Sequence, residues 1–207
     1  MSNFYAKTGM NFDILIEEIK ALHRDSILRW QHAPIQIQTE GLLQAIEENH
    51  AFNFQLWQAE DRARREDKGH SFVYEAKRAI DHFNQQRNNR MEAIDEHLAN
   101  LINLSQADEC PVHSETPGMI IDRLSILSLK THYMRMQTIR VDADFEHQQL
   151  CKQKLQILLA QHTQLNHCLQ HLFKDLIAQT RTFRRYHQLK MYNDPTLNPE
   201  LYSQSSS

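Results

Sequence analysis

Apolar residues recur along the chain at steps of three and four, a spacing that lines one face of an α-helix. In the first half of the chain this pattern predicts three helices, over residues 12–30, 39–68 and about 71–104. Asn11 and Thr39 stand at the start of the first two and carry side chains that can cap a helix N-terminus. Proline and glycine between the apolar runs are expected to end these two helices.

The second half of the chain predicts two further helices. Thr116 is interpreted as an N-cap with Pro117 at the first helical position, and this fourth helix runs to about Arg140. From Cys151 the apolar pattern alternates steps of three and four, which is typical of a bundle or coiled-coil seam. As one helix over residues 143–191 the fifth would be about 70 Å long, so it either kinks or extends beyond the bundle and favours a homodimer.

Five helices with short connections predict an all-α fold, an antiparallel helical bundle with a long C-terminal helix. The 207 residues suffice for a single helical domain over residues 1–207, with flexible ends at 1–10 and 203–207. Hydrophobic residues make up 41% of the chain, and there are only 4 glycines and 5 prolines. This composition is typical of a folded, helical protein.

Charge and cysteine content narrow the classes of partner and compartment. The net charge is -3 and charges of both signs are interspersed, so the chain offers no basic field for nucleic acid. The 3 cysteines follow no metal-binding spacing and suit a reducing compartment. No apolar run is long enough for a signal peptide or a membrane span, so the predicted location is the cytoplasm.

Two of the helices carry a polar stripe beside their apolar face. On the second helix, positions three and four apart hold His50, Asn53, Trp57, Glu60 and Arg64. On the third helix, a stripe about 80° wide holds Lys77, Asp81, Asn84, Asn88, Glu92 and Asp95. Consecutive helices joined by a short turn pack antiparallel, so the stripes are expected to face one another across a shared groove. Interhelical ion pairs, which need no ligand, are the alternative.

The fourth helix carries apolar residues on opposite faces, which predicts that it is central and largely covered. Asp122 and Arg123 lie in that environment, and a buried charge requires a partner. We expect the partners to come from the two polar stripes. Such a network is either an architectural lock or a functional site, and the sequence leaves both open.

The sequence motifs give little indication of a metal or cofactor site. Glu47 and His50 form one Glu-x-x-His pair, but a second complete pair is missing for a two-metal bundle site. His167 and His171 share a helix face without a third ligand. The chain also has no glycine-rich phosphate loop or nucleophile elbow, so neither a metal nor a cofactor is predicted.

Four segments share one resemblance: residues 53–64 (NFQLWQAEDRAR), 77–81 (KRAID), 115–127 (ETPGMIIDRLSIL) and 190–202 (KMYNDPTLNPELY). Together they resemble a bacterial family, the domain of unknown function 4254 family. The resemblance implies an all-helical cytoplasmic protein with no established activity, whose relatives are often encoded near genes for cell-surface glycan assembly. It also implies a set of motif residues, which fall here on Trp57, Glu60, Asp61, Arg64, Lys77, Asp81, Asn84, Asp122 and Arg123.

These observations favour a binding or accessory protein whose groove between the second, third and fourth helices holds a small polar ligand or a protein partner's side chains. The candidate residues are Trp57, Glu60, Asp61, Arg64, Lys77, Asp81, Asn84, Asn88, Asp122 and Arg123. One alternative is a transferase or hydrolase that acts on a phosphorylated or sugar substrate through a buried carboxylate pair. The other is a structural module that oligomerises through the last helix.

Overall fold

The computed structural model describes residues 11–104, 109–186 and 194–202. Five long helices account for most of this part of the chain: α1 (Phe12–Trp30), α2 (Gly41–Ala63), α3 (His70–Ile102), α4 (Pro117–Thr138) and α5 (Phe145–Ile177). Short elements complete it: a 3-10 turn at Glu66–Lys68, strands β1 (Val112–His113) and β2 (Thr182–Phe183), and α6 (Pro199–Tyr202). The all-α prediction is confirmed. The ends predicted to be flexible, 1–10 and 203–207, lie outside the described residues.

Successive helices pack antiparallel, as predicted. Between α2 and α3, Glu48 pairs with Arg90 while Phe52, one turn later, meets Phe83. Between α3 and α4, Asp95 contacts Gly118. Since Arg87, two turns before Asp95, lies near Asp122 of α4, these two helices also run in opposite directions.

Local hydrogen bonds explain where α1 and α4 begin. The Asn11 side chain accepts from the backbone N–H groups of Asp13 and Ile14, and the Thr116 hydroxyl accepts from that of Met119. Both predicted caps are therefore confirmed. The cap predicted at Thr39 is wrong, because its hydroxyl donates to Glu47 at 2.8 Å and α2 begins two residues later.

The last long helix is shorter than predicted. α5 ends at Ile177 instead of continuing to residue 191, so it is about 50 Å long at 1.5 Å per residue. Gln179 adopts a left-handed conformation (φ 55°), and the Thr180 N–H donates to the Asp175 carbonyl, which is the hydrogen bond of a Schellman end. The chain then forms β2, which pairs in parallel with β1. The helix predicted over 187–191 lies outside the described residues.

The main hydrophobic core lies where all five long helices meet. Phe12 of α1 packs on Phe173 of α5 with ring centroids 4.6 Å apart, and Ile46, Leu98 and Ile121 are buried around them. A second cluster, around Trp30, Phe54 and Leu129, lies next along the bundle. Burial of this apolar surface is the principal source of stability in such a fold.

Two helical hairpins extend from this core side by side. Their tips are the α2–α3 connection and the α4–α5 connection. α2 and α4 run in the same direction, because Asn53 contacts Ser125 and Trp57, one turn later, stacks on Tyr133. The space between the hairpins is therefore walled by α2 and α3 on one side and by α4 on the other. Within the described ranges, every helix is too polar or too short to traverse a lipid bilayer.

Candidate functional site

The candidate site is an open cavity of about 390 Å³ between the two hairpins, which we call the polar cleft. Residues of α2, α3 and α4 line it: Asn53, Leu56, Trp57, Glu60, Asp61, Arg64, Asn84, Arg87, Ile126 and Leu129. On α2 and α3 these positions recur mainly at steps of three and four, so each helix presents one continuous face to the cavity. The apolar lining residues continue the core, and the polar ones surround its open side.

Trp57 forms an aromatic wall of the polar cleft. Its ring stacks on Tyr133 of α4 with centroids 4.7 Å apart and planes 7° from parallel. Burial, together with the nearby Asp61 carboxylate, raises the pKa of the Tyr133 phenol. Trp57 and Asp61 also line a second cavity of about 430 Å³, together with Lys130 and Tyr133, so these two residues are shared by two adjoining cavities.

The charges around the polar cleft differ in how far they are neutralised. Arg64 pairs with Glu60 at 2.7 Å, and both side chains are exposed. Asp61 and Lys130 form no ion pair with the residues that the structure describes. Arg87, at the inner end, has one ion-pair partner, Asp122, at 3.7 Å. The cleft thus holds charges of both signs whose partners are distant or missing among the described residues.

A hydrogen-bonded cluster lies beneath the polar cleft, and we call it the buried network: Asn49, His50, Asn53, Asp122 and Ser125. The Asp122 carboxylate accepts from Asn53 at 2.9 Å and from Asn49 at 3.1 Å. Asn53 also donates to the Ser125 oxygen at 3.0 Å. Because Nε2 of His50 lies 2.9 Å from the His23 carbonyl, it carries the proton, and Nδ1 accepts from the Ser125 hydroxyl.

The two core histidines are held neutral. Burial, followed by the electrostatic effects of His50 and then His162, lowers the pKa of His23. The His23 and His50 rings pack with centroids 4.5 Å apart and planes tilted by 35°. Burial is also the largest cause at His50, where the pKa falls to about 3 although the hydrogen bond to the His23 carbonyl opposes the change. Neither ring nitrogen of His23 has a hydrogen-bond partner among the described residues. These histidines therefore serve packing at neutral pH.

The fold brings half of the candidate residues together. Trp57, Glu60, Asp61, Arg64 and Asn84 line the polar cleft. Asp122 lies beneath it and is buried, as expected. The remaining four residues lie elsewhere: Lys77 and Asp81 are exposed nearer the N-terminus of α3, Asn88 is buried, and Arg123 lines the cavity between α4 and α5.

The expectation that Arg123 is buried is wrong. Its side chain is 54% exposed and pairs with Glu115. It lines a separate cavity of about 620 Å³ between α4 and α5, together with His113, Lys130 and Cys168. The face of α4 that holds Ile126 is likewise only partly covered, because α3 and α5 flank it without meeting over it.

Arg87 and Tyr133 are residues of the cleft region that the sequence pattern did not single out. Arg87 stands three positions after Asn84, so it belongs to the same face of α3, and that spacing was the available signal. Tyr133 belongs by its spacing to one of the two apolar faces of the fourth helix. Its stacking on Trp57 depends on the side-by-side arrangement of α2 and α4, which no local pattern encodes.

The residues that begin the segment 115–127 serve mainly to dock α4 on α3. The Gly118 N–H donates to the Asp95 carboxylate at 2.7 Å, and a Cβ atom at position 118 would lie 2.6 Å from the Met91 carbonyl oxygen. Burial raises the pKa of Asp95 to about 6, although hydrogen bonds from Thr116 and Gly118 oppose the change. Thr116, Pro117 and Gly118 therefore start α4 and let it approach α3 closely.

The histidine and carboxylate pairs considered as metal ligands have other partners or lie apart. Glu47 binds Arg29 and Thr39, whereas His50 belongs to the buried network. His167 and His171 are exposed on α5. In the described part of the chain, no group of three or more His, Cys, Asp or Glu side chains is placed to hold a metal ion.

Comparisons with other proteins address the family of the chain. Neither the curated proteins nor the solved structures include a match. A family model described as a protein of unknown function, DUF4254, matches residues 43–185, which contain every residue that lines the polar cleft. Because this match covers well over half of the 207 residues, the chain belongs to the DUF4254 family of proteins of unknown function.

Proposed function

We propose that this chain is a helical binding protein whose polar cleft holds a small polar ligand. The observation that carries the proposal is the convergence of Trp57, Asp61, Asn84 and Arg87 from two helices on one cavity, with the charges of Asp61 and Arg87 poorly neutralised. Ligand sites in proteins are typically concave and largely apolar, with a few converging polar groups that orient the ligand. The polar cleft has this composition.

Each lining residue has a distinct part in such binding. Trp57, fixed by Tyr133, supplies a flat apolar surface for a ring or a hydrocarbon segment of the ligand. Asn84 offers both a donor and an acceptor, and Asp61 accepts hydrogen bonds. Leu56, Ile126 and Leu129 exclude water from the inner wall, which strengthens the polar contacts that form there.

The enzyme hypothesis has less support. It calls for two carboxyl groups within one site, one of them kept protonated by its surroundings. A buried carboxyl group with a raised pKa does exist in the chain, at Asp95, but this group caps α4 and lies outside the cavity lining. The geometry therefore favours binding over catalysis.

The oligomerisation hypothesis depended on a last helix that extends beyond the bundle. α5 ends at Ile177, which removes that overhang from the described residues. A homodimer, a cytoplasmic location in bacteria and a link to cell-surface glycan assembly stay predictions of the sequence and the family resemblance. The polar cleft provides a more direct basis for function.

The test is a ligand screen with the whole protein. Thermal unfolding is measured against a panel of neutral, anionic and cationic metabolites, and hits are verified by native mass spectrometry. We expect at least one compound to raise the Tm of the wild type, because binding to the folded state alone stabilises it. The shift should disappear in Trp57→Ala and Asn84→Ala.

Asn89→Ala is the matched control for Asn84→Ala, because Asn89 is an exposed amide on the same helix and bonds only to Gln85 among the described residues. This control should keep the full ligand-induced shift. The proposal fails if no compound stabilises the wild type, or if Trp57→Ala and Asn84→Ala respond like the control.

A further inference from the structure

We propose that the ligand of the polar cleft carries an oxyanion, a carboxylate or a phosphate, and that Arg87 binds it. This inference rests on the proposed binding function and adds the chemical class of the ligand. Its basis is the incomplete bonding of a largely buried guanidinium group at the inner wall of the cavity.

The Arg87 side chain is only 25% exposed, yet it makes no hydrogen bond to the residues that the structure describes. Its Nε atom is buried without a hydrogen-bond partner and lies 3.7 Å from the nearest Asp122 oxygen. That separation is too long for a hydrogen bond. A guanidinium group offers five N–H donors, and the one on Nε is buried without a partner, which is costly.

Asp122 balances the charge of Arg87 without occupying its donors. The same Asp122 oxygen already accepts hydrogen bonds from two buried amides, Asn53 and Asn49. Asn49 also donates to the backbone carbonyl of Arg87 at 3.3 Å, which ties α2 to this turn of α3. The Asp122 oxygen nearest to Arg87 is therefore already bonded to neutral donors, and the N–H groups of Arg87 stay available.

Arg29 shows what a structural arginine looks like in this protein. Its guanidinium group contacts Glu47 at 2.6 Å and the Ser26 hydroxyl at 3.1 Å, so both charge and hydrogen bonds are satisfied within the fold. Arg87 has comparable access to solvent but no such contacts. The difference leaves the Arg87 guanidinium group without a hydrogen-bond partner among the described residues, and a bound ligand would supply one.

An oxyanion is the group that fits. The planar guanidinium fork matches two oxygens of a carboxylate or phosphate, and such paired bonds are among the strongest in proteins. Arg64 lines the same cavity, but its charge is balanced by Glu60, so Arg87 is the cation of the cleft without a close ion-pair partner among the described residues. The unpaired carboxylate, Asp61, lies near Tyr133 and lines both this cavity and the adjoining one.

The experiment is isothermal titration calorimetry at constant ionic strength with two probes, sodium pyrophosphate and sodium citrate. We expect saturable binding of at least one probe, and the tighter of the two identifies the class as phosphate or carboxylate. Arg87→Gln should weaken this binding at least about tenfold, because charged hydrogen bonds are lost. The affinity of Arg87→Lys should lie between those of Arg87→Gln and the wild type, since lysine keeps the charge but lacks the planar guanidinium fork.

Arg123→Gln is the matched control, because Arg123 also projects from a helix into a cavity but pairs with Glu115 and lies outside the polar cleft. It should bind the probe like the wild type. Asn84→Asp tests the same idea with Arg87 intact: a carboxylate placed in the cleft should weaken probe binding by repulsion. This variant keeps the proposal falsifiable if Arg87→Gln does not fold.

Two results would overturn the inference. One is equal probe affinity in Arg87→Gln, Arg123→Gln and the wild type. The other is a screen in which only neutral or cationic compounds bind the cleft while neither probe does. That second result would leave the proposed binding function standing. The absence of any stabilising compound in the ligand screen would instead remove the binding function itself.

Discussion

The two halves of α2 carry similar polar residues in opposite circumstances. In the first half, Glu47, Asn49, His50 and Asn53 are all buried, and each has hydrogen-bond partners from other elements. In the second half and its C-cap, the polar side chains are more exposed: Glu60 pairs with Arg64, Arg62 lies over the Phe72 ring of α3, and Asp61 has no ion pair among the described residues. One helix thus changes from a core element to the wall of a cavity.

This difference shows that residue type does not separate a structural polar group from a candidate site. What separates them is whether the fold provides hydrogen-bond partners for the group. Glu47 accepts from Arg29, from the Thr39 hydroxyl and from the backbone of residues 38 and 39, so nothing of its bonding capacity is left over. Asp61 faces a cavity and has no such donors among the described residues. Variants of the two halves should therefore affect different properties.

The largest expected effect is in the first half. Glu47→Ala removes a fully buried carboxylate and leaves Arg29, Thr39 and two backbone N–H groups without their acceptor. We expect the free energy of unfolding to fall by about 3 kcal/mol or more, the usual cost of breaking a buried ion pair. Urea denaturation of the variant and the wild type measures this loss in the free energy of unfolding.

The matched control is Glu17→Ala, which breaks an exposed pair with Lys20 at 2.9 Å. This variant should lose no more than about 1 kcal/mol in the free energy of unfolding, because solvent screens surface ion pairs. Equal losses in the two variants would show that saturation of Glu47 contributes little to stability.

The next effect is a pH dependence that belongs to the first half of α2. Burial lowers the pKa of His50 to about 3 and also lowers that of His23. At acid pH the folded protein therefore binds fewer protons than the unfolded one. The stability that depends on these neutral histidines is complete above about pH 6.5 and is lost as the pH falls. The loss approaches about 1.4 kcal/mol per pH unit for each histidine.

His23→Leu tests this dependence, because neither ring nitrogen of His23 has a hydrogen-bond partner in the described structure. Urea denaturation between pH 4 and 7 should show that the free energy of unfolding falls less steeply toward acid pH in the variant than in the wild type.

Asp95→Asn should change the pH dependence of the free energy of unfolding in the opposite direction. Burial raises the pKa of Asp95 to about 6, so its contribution is present below about pH 3.8 and is lost as the pH rises through 6. Parallel pH profiles in both variants and the wild type would contradict these assignments.

Gly118→Ala should have an intermediate effect, and it tests whether the segment 115–127 serves structure. An added Cβ would lie 2.6 Å from the Met91 carbonyl oxygen and 2.8 Å from the Asp95 carboxylate, so α4 must move away from α3. We expect a loss of about 1–3 kcal/mol in the free energy of unfolding, as for overpacked cores. A variant as stable as the wild type would show that the close approach of the helices is not required.

The fold was largely accessible from the sequence because its main signals are local. Asn11 and Thr116 cap helices through hydrogen bonds to residues two or three positions away, which a sequence pattern can reveal. The end of α5 was not accessible, because Gln179 takes the left-handed conformation that usually marks a glycine. Thr39 was misassigned because its partner, Glu47, lies two turns into the helix.

The candidate site was accessible only in part. Periodicity grouped Trp57, Glu60 and Arg64, because they lie on one face of one helix. It placed Arg123 in the core, since no local pattern tells which side of α4 the neighbouring helices cover. Arg87 was missed because its significance depends on Asp122 and on the two amides that satisfy Asp122.

The smallest expected effect on stability is in the second half of α2. Asp61→Ala and Arg64→Ala should each change the free energy of unfolding by no more than about 0.5 kcal/mol, because these side chains are exposed and surface ion pairs contribute little. The same two variants should reduce the Tm shift caused by a compound that binds the polar cleft. Urea denaturation and thermal unfolding with that compound measure the two properties separately. Residues selected for ligand contact are under no requirement to stabilise the fold, so loss of binding without loss of stability is the expected signature. If Asp61→Ala instead destabilised the protein as much as Glu47→Ala, both halves of α2 would be structural and the polar cleft would lose its basis as a site.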